Sequence, residues 1–241
     1  MAISEAAAKR PSAVKSSDSI GPDDFSFVAR IVLNGGDGPC TCGGAIISPR
    51  HILTAASCLH GKYGGRVYTG IQHGSDYHSV ATAINETFIE NFTMPTDDQD
   101  AQNDIGIISF RRNLNFNLRQ RIISLPTAQP AGNINAWFAG WEPVSGEREP
   151  ELTFKKTQIT LRSGQQCLNS GTDDMKAQKL CGHQEDPNRC PGESGSPVVS
   201  DGILYGIASV DPCSFGTDRR YTNVFHHVDW IKRIISMTPS Y

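Results

Sequence analysis

The chain has 241 residues, and its length, composition and charge exclude several classes of protein. A chain of this length can bury a substantial core in one or two domains. Its 22 Lys and Arg residues against 25 Asp and Glu give a formal net charge of −3, which argues against electrostatic binding of nucleic acid or of a membrane surface. No apolar run is long enough to span a membrane. Residues 1–8 are too short and polar for the apolar region of a signal peptide.

Glycine and proline are frequent, with 23 and 14 copies, and short runs rich in Val and Ile recur along the chain. This pattern favours a β-rich fold over a helical one. Residues 1–24 are polar and aperiodic and indicate an arm. A closing helix is predicted over 228–236, because Val228, Ile231 and Ile235 lie at helical spacing. Strands are predicted over residues 25–33, 66–69, 79–84, 105–110, 136–141, 157–161, 197–199 and 204–209.

The segment most suggestive of chemistry is 190–197, which reads CPGESGSP. Ser194 lies in a tight polar turn just before an apolar run, where a nucleophilic hydroxyl would be exposed. Gly192 would let the backbone approach closely, so the amides of Gly192 and Ser194 could face one oxygen as an oxyanion hole. The same residue types are common in surface turns, so the segment alone leaves both interpretations open.

Three further blocks accompany this segment: CGGAIIS at 42–48, ILTAASC at 52–58 and NDIGII at 103–108. Together the four blocks resemble those of the chymotrypsin-like serine proteases, which read CGG-[ST]-L-[IV], L-T-A-A-H-C, D-I-[AG]-L and G-D-S-G-G-P. The order is the same and the spacing is similar. The resemblance extends from about Phe25 to Ile235, nearly the whole chain.

The resemblance implies an all-β fold of two six-stranded antiparallel β-barrels with a C-terminal helix. The first barrel is expected over 25–125, and the second barrel with the helix over 126–241. Seven cysteines are an odd number, so one is left over. Three disulfides would imply an oxidising, secretory history. The resemblance pairs Cys42 with Cys58, Cys167 with Cys181 and Cys190 with Cys213, and it leaves Cys40 as a free thiol or a site of intermolecular pairing.

The decisive departure from the family concerns the catalytic base. Asp104 and Ser194 match the family's acid and nucleophile, whereas Ser57 stands where the family has its histidine. A serine hydroxyl is no proton acceptor of matched pKa near neutral pH. We therefore expect these three residues to be vestigial triad positions. No motif places a substitute among the other histidines, which are His51, His60, His73, His78, His183, His226 and His227.

The substrate pocket also departs from the family pattern. Asn188 falls where trypsin-like members carry the acid that binds Lys or Arg. Asp211 adds a charged side chain at the edge where the family has a glycine. Arg219 or Arg220 replaces a glycine of the pocket wall and would fill the cleft or pair with Asp211 or Asp218. The vestigial pocket is expected to comprise Asn188, Arg189, Ser209, Val210, Asp211 and Arg219.

Two further departures concern the activation of the oxyanion hole and the serine turn. In the family a freed amino terminus inserts beside the aspartate that precedes the nucleophile. Here Glu193 takes that place, and no basic residue immediately precedes the position near Ala13 where the terminus would fall. Ser196 replaces the second glycine after the nucleophile. The resemblance thus implies that neither the inserted amino terminus nor the acidic residue that receives it follows the family pattern.

These features predict a secreted, catalytically inactive protease homologue that acts by protein binding. It resembles the inactivated protease paralogues of arthropods, including parasitic mites, and the resemblance implies interference with a host proteolytic cascade such as complement. Two alternatives stay open: a weak or assisted hydrolase using Ser194, and a heparin- or microbe-binding module. We expect no cofactor, metal, nucleic-acid or membrane partner. Asn85 and Asn91 head glycosylation sequons.

Overall fold

The computed structural model describes residues 25–70, 85–95, 103–117, 120–143, 152–169, 171–183, 194–209 and 219–237. Within these ranges the chain forms two antiparallel β units and a C-terminal helix. The predicted arm over 1–24 and the strand predicted at 79–84 lie outside the described residues. The predicted bounds of the two barrels stay a prediction, although the strands of the two units fall on either side of residue 125.

The first unit is an antiparallel sheet in the spatial order β5-β4-β1-β2-β3-β7-β6. Its end strands β5 and β6 are separated along the chain by only Ile89 and Glu90, so the bent segment 85–93 pairs with β4 at one edge and β7 at the other. Counted as one bent strand, this segment reduces the sheet to six strands. The strands are β1 (Val28–Gly35), β2 (Cys40–Ser48), β3 (His51–Thr54), β4 (Lys62–Thr69), β5 (Asn85–Phe88), β6 (Asn91–Thr93) and β7 (Gly106–Ser109).

The second unit is a closed antiparallel barrel of six strands in the order β10-β13-β12-β11-β8-β9. Closure leaves no free sheet edge. The strands are β8 (Ile134–Pro143), β9 (Leu152–Ser163), β10 (Lys179–His183), β11 (Pro197–Ser200), β12 (Ile203–Ala208) and β13 (Arg219–Asn223).

The chain passes from the first unit to the second at residues 123–124. The amide of Ile123 donates to the carbonyl of Ile46 in β2, whereas the carbonyl of Ser124 accepts from Leu204 in β12. Packing follows the same plan. One apolar cluster fills the first unit and continues across the contact between the units to Ala139 and Ile207, and a smaller one fills the second barrel around Phe138.

Helices are few and short, as an all-β fold requires. The helix α2 (Gly164–Cys167) begins with a capping box, in which the side chain of Gln166 accepts from the amide of Ser163 at 3.1 Å. The closing helix packs Val228 and Ile231 inward, which agrees with its predicted spacing. The helices are α1 (Ala56–Leu59), α2 (Gly164–Cys167), α3 (Asp173–Ala177), a 3₁₀ turn (Phe225–His227) and α4 (Val228–Met237).

The predicted all-β class with a closing helix is confirmed. Several strand bounds differ from the predicted ones, as in β4, which begins at Lys62, and β9, which extends over Leu152–Ser163. The first strand begins at Val28 and not at Phe25. The amide of Val28 donates to the carbonyl of Phe25, which closes a turn, and the ring of Phe25 packs 6.0 Å from that of Phe154 in β9. Apolar character alone predicted a strand here, whereas these side chains are buried by packing onto the second barrel.

Candidate functional site

Asp104 is the centre of a polar cluster between the two β units. It lies just before β7, and only 4% of its surface is exposed. Its Oδ1 accepts from the backbone amide of Ser57 at 2.7 Å, and its Oδ2 accepts from the Ser57 hydroxyl at 3.1 Å. The hydroxyl of Ser209, just after β12, donates to the same Oδ2 at 2.6 Å. Both carboxylate oxygens therefore accept hydrogen bonds, Oδ1 from the first unit and Oδ2 from both units.

The backbone of Asp104 is held as well. The hydroxyl of Thr222 in β13 donates to the carbonyl oxygen of Asp104 at 2.9 Å. A buried carboxylate is tolerated when its oxygens accept several hydrogen bonds. This arrangement positions Asp104 rigidly, and it presents the hydroxyl of the half-buried Ser57 beside the carboxylate.

Ser194 lies at the start of a turn that leads into β11, and it is half-buried. Its carbonyl accepts from the amide of Gly43 in β2 at 2.9 Å, and the sulfur of Cys58 lies 3.5 Å from the same oxygen. The next amide, that of Gly195, donates to the carbonyl of Ala208 at 2.8 Å. The first unit thus holds the serine turn on one side and the second barrel on the other.

Close packing explains why glycines flank this turn. Gly195 has a φ of +85°, a conformation that side chains with a Cβ rarely adopt. A Cβ there would also collide with the hydroxyl oxygen of Thr54 and the carbonyl oxygen of Gly43. Thr54 uses that hydroxyl to donate to the same Gly43 carbonyl at 2.7 Å. A Cβ on Gly43 would meet the backbone and hydroxyl of Ser196.

Ser196 fits only because Gly43 has no side chain. It is fully buried, and among the described residues its Oγ has no hydrogen-bond partner. A buried hydroxyl without a partner is destabilising, since its bond to water is lost without replacement. The substitution is thus accommodated sterically and remains unfavourable electrostatically.

Arg219 points toward the interior of the second barrel. Strand alternation places it on the same face of β13 as the buried Tyr221, and its guanidinium carbon lies 4.8 Å from the ring centre of Phe138. The neighbouring Arg220 is exposed. The contact with Phe138 is neither of the two outcomes predicted for these arginines, and the predicted partners Asp211 and Asp218 lie outside the described residues.

The histidines of the described residues differ in their burial and surroundings. His51 in β3 is buried and bonded to the hydroxyl of Ser48, and its pKa is lowered to about 4 by burial and then by the charge of Arg50. His227 is buried before α4, and its pKa is lowered to about 3, chiefly by burial and further by nearby positive charge. His60 is exposed and directly follows α1.

One disulfide lies beside the candidate site, and another lies in the second barrel. The structure contains the bonds Cys42–Cys58 and Cys167–Cys181, which are pairs that the family resemblance implied. Among the described residues, Cys40 is a free and half-buried thiol. The first bond joins β2 to α1 and so fixes Ser57 relative to the segment that contacts Ser194.

Several predicted site residues lie outside the described residues. They are Gly192 of the oxyanion hole, the pocket residues Asn188, Arg189, Val210 and Asp211, and the pair Cys190–Cys213. Ser209 was predicted as a pocket residue, and the structure places its hydroxyl on Asp104. Sequence reasoning missed Thr54 and Thr222, because a single threonine in a strand carries no signal of a distant bond.

The described ranges contain no group of three or more His, Cys, Asp or Glu side chains arranged to hold a metal ion. Likewise, no helix within them is both long and apolar enough to cross a membrane.

Comparison with known proteins agrees with the observed fold. The family model described as Trypsin matches residues 16–231. The chain belongs to the trypsin family. A renal glandular kallikrein of Mastomys natalensis is 25% identical to this trypsin-family chain in an alignment of 216 residues that covers 82% of the chain and 81% of the relative.

Solved structures show the same fold. The scabies mite inactivated protease paralogue S-I1 superposes with a TM-score of 0.75 and 21% identity, over 93% of this chain and 100% of that chain. Human heparin binding protein superposes with a TM-score of 0.69 and 24% identity, over 95% of this chain and 99% of that one. At these identities the likeness establishes the trypsin fold alone.

Proposed function

We propose that this protein is a secreted, catalytically inactive serine protease homologue that acts by binding another protein. The observation that carries the proposal is the bond between the Ser57 hydroxyl and the buried Asp104. In a working triad the acid orients an imidazole, which takes the proton from the nucleophilic serine. Here the group beside the acid is a hydroxyl, which supports Ser57 as the replacement of the catalytic histidine.

A hydroxyl in that place removes proton transfer from the reaction. With a pKa far above neutrality, serine cannot accept the proton that Ser194 would have to lose. In hydrolases with a Ser-His-Asp triad, loss of the histidine lowers kcat on the order of 10⁶-fold.

Binding is supported by the intact scaffold around the lost base. The glycine turn at Gly195, its bond to Ala208 and the Cys42–Cys58 disulfide keep the shape of a protease at the mouth of the site. Disulfides also favour an extracellular location. A protease-shaped protein without turnover would compete with active enzymes for shared substrates and regulators. We therefore place its partner among proteins of a proteolytic cascade such as complement.

The test is a binding and cleavage assay with purified protein. A panel of fluorogenic peptides and a serine-directed phosphonate should yield no turnover and no labelling above the Ser194→Ala variant. A partner recovered from host plasma should keep its intact mass. A partner cut at one site, with the cut abolished by Ser194→Ala, would establish the weak hydrolase instead. His60→Ala then identifies whether the exposed His60 supplies the base.

A stricter version of the test restores the missing imidazole. We expect Ser57→His alone to yield little peptide hydrolysis, since a triad acts only on a substrate held in near-attack geometry, where a small misplacement reduces the rate about 100-fold. Arg219 lies over Phe138, and Asp211 and Glu193 still depart from the family pattern. Hydrolysis by Ser57→His comparable to that of an ordinary trypsin would show that the histidine was the only loss.

One observation favours a heparin-binding module as a second candidate. Strand register places Arg162, Cys181 and Arg220 side by side on β9, β10 and β13, and Lys179 lies two residues from Cys181 on the same face. Human heparin binding protein shares the fold. Retention on immobilised heparin that falls in Arg220→Gln and persists in the exposed control Arg111→Gln would support this function.

A further inference from the structure

The sequon Asn91-Phe92-Thr93 forms the whole of strand β6 at one end of the first sheet. The tripeptide has the form Asn-X-Ser/Thr that marks N-glycosylation acceptors in secreted proteins. Such tripeptides are frequent by chance, so the structural setting has to decide. We propose that Asn91 carries an N-linked glycan, an inference that rests on the secreted location in the proposed function.

Strand alternation places the acceptor on the accessible side of β6. Phe92 packs against the apolar cluster of the first unit, so its neighbours Asn91 and Thr93 point to the opposite face. Asn91 is exposed, and so is Glu90 before it. A glycan at Asn91 would extend into solvent, and the packing of Phe92 would not change.

The side-chain amide of Asn91 is also oriented for substitution. Its Oδ1 accepts from the backbone amide of Phe92 at 2.9 Å. That bond uses the oxygen and leaves Nδ2, the atom that becomes glycosylated, on the other side of the planar amide. Within the described part of the chain, Nδ2 takes part in no hydrogen bond, which is compatible with a large substituent there.

The location is compatible with the proposed function. Asn91 is paired with Ser109 at the end of β7, whereas Asp104 precedes the beginning of that strand at Gly106. The glycan would thus lie at the end of β7 away from the Asp104 cluster.

The modification is a group transfer from a lipid-pyrophosphate-linked oligosaccharide of the secretory pathway. Nδ2 of Asn91 forms a bond to the anomeric carbon of the sugar, while the bond from that carbon to the pyrophosphate oxygen breaks. The nitrogen loses one proton, and the lipid pyrophosphate departs with the electron pair of the broken bond. No oxidant or reductant is involved.

The experiment is expression of the full chain with a secretory leader in eukaryotic cells. The Asn85→Gln variant is used, because it removes the sequon at 85–87 and keeps the one at 91–93. We expect the secreted protein to lose one glycan mass on treatment with peptide N-glycosidase. Digestion in ¹⁸O-water should convert Asn91 to labelled Asp, which peptide mass spectrometry assigns to that position.

Two conservative variants of Thr93 keep the test interpretable if Asn91→Gln folds poorly. Thr93→Ser preserves the sequon and should keep the glycan, whereas Thr93→Val has the same shape and should lose it. Secreted protein without a glycan at Asn91 overturns the inference, whatever the peptide-cleavage assay finds. Peptide turnover that depends on Ser194 overturns the proposed function, whether or not the glycan is present.

Discussion

The serine turn at Ser194 and Gly195 and the hydrogen-bonded pair of Asp104 and Ser57 belong to one candidate site, and they differ in the interactions that constrain them. At the turn, Gly195 keeps a left-handed conformation and is enclosed by Thr54 and Gly43. At the acid, Asp104 keeps a full set of donors, but the side chain beside it is the hydroxyl of Ser57. The turn is constrained by packing, whereas the acid is constrained by hydrogen bonding that serine satisfies.

The comparison teaches that the requirements of folding and of proton transfer are separable in this site. A Cβ at Gly195 would disrupt the contact between the two units, so folding demands the glycine. Folding demands only a donor beside Asp104, and a hydroxyl meets that demand without a base. The constraint at Gly195 is therefore narrower than the constraint beside Asp104, where any donor of suitable size satisfies folding.

The largest effect is expected from Gly195→Ala. The new methyl would combine a left-handed backbone penalty with collisions against Thr54 and Gly43, and together these should lower the free energy of unfolding by about 3 kcal/mol. Urea denaturation measures the loss. Gly132→Ala is the matched control, because Gly132 has a φ of +84° in open space and should lose only about 1 kcal/mol. Equal losses would show that packing at the turn is not decisive.

Next in size is Asp104→Ala, which leaves the hydroxyls of Ser57 and Ser209 and one amide without their acceptor. We expect about 2 to 3 kcal/mol of destabilisation, since unsatisfied donors in a part-buried site lose their bonds to water without replacement. The exposed acid Asp37 offers the control, and Asp37→Ala should change stability by less than about 0.5 kcal/mol. A neutral Asp104→Ala would mean that the cluster contributes nothing to folding.

A smaller effect is expected on acidification, and it should arise outside the site. The folded-state pKa values of His51 and His227 are lowered from 6.5 to about 4 and about 3. The unfolded chain therefore binds protons first as the pH falls below about 6.5, so stability present above that pH is lost toward pH 4. Between pH 7.5 and 5.5 each histidine should contribute a loss of about 1 kcal/mol.

Urea denaturation at the two pH values measures this loss. His51→Gln and His227→Gln should each flatten the dependence of stability on pH, whatever their effect at pH 7.5. An unchanged dependence in both variants would place the responsible group elsewhere in the chain.

The smallest effect is expected from Ser196→Ala, and its sign is opposite. Removing a buried hydroxyl that has no partner among the described residues should raise the free energy of unfolding by about 1 kcal/mol. Thermal unfolding, monitored by circular dichroism, measures this change in stability. Ser200→Ala is the matched contrast, because that hydroxyl donates to the carbonyl of Asn135 at 2.7 Å and its loss should destabilise by a similar amount. Destabilisation by Ser196→Ala would reveal a partner for that hydroxyl.

Local patterns in the sequence determined much of this protein. Runs of Val and Ile marked strands such as β7 and β12, and helical spacing marked α4 within one residue of its end. Four blocks in order indicated the trypsin fold and proposed Asp104, Ser194 and Ser57 as related residues. Each of these signals is carried by neighbours along the chain, which is why it can be detected without coordinates.

The tertiary structure alone decided how distant residues meet. It bent the segment 85–93 so that one part pairs with β4 and the other with β7, and it placed the hydroxyls of Ser209 and Thr222 on the side chain and the backbone of Asp104. It also turned Arg219 inward onto Phe138 and buried Ser196 against Gly43. These contacts depend on strand register and on the approach of the two units. They join residues that are far apart in the sequence, so no single segment predicts them.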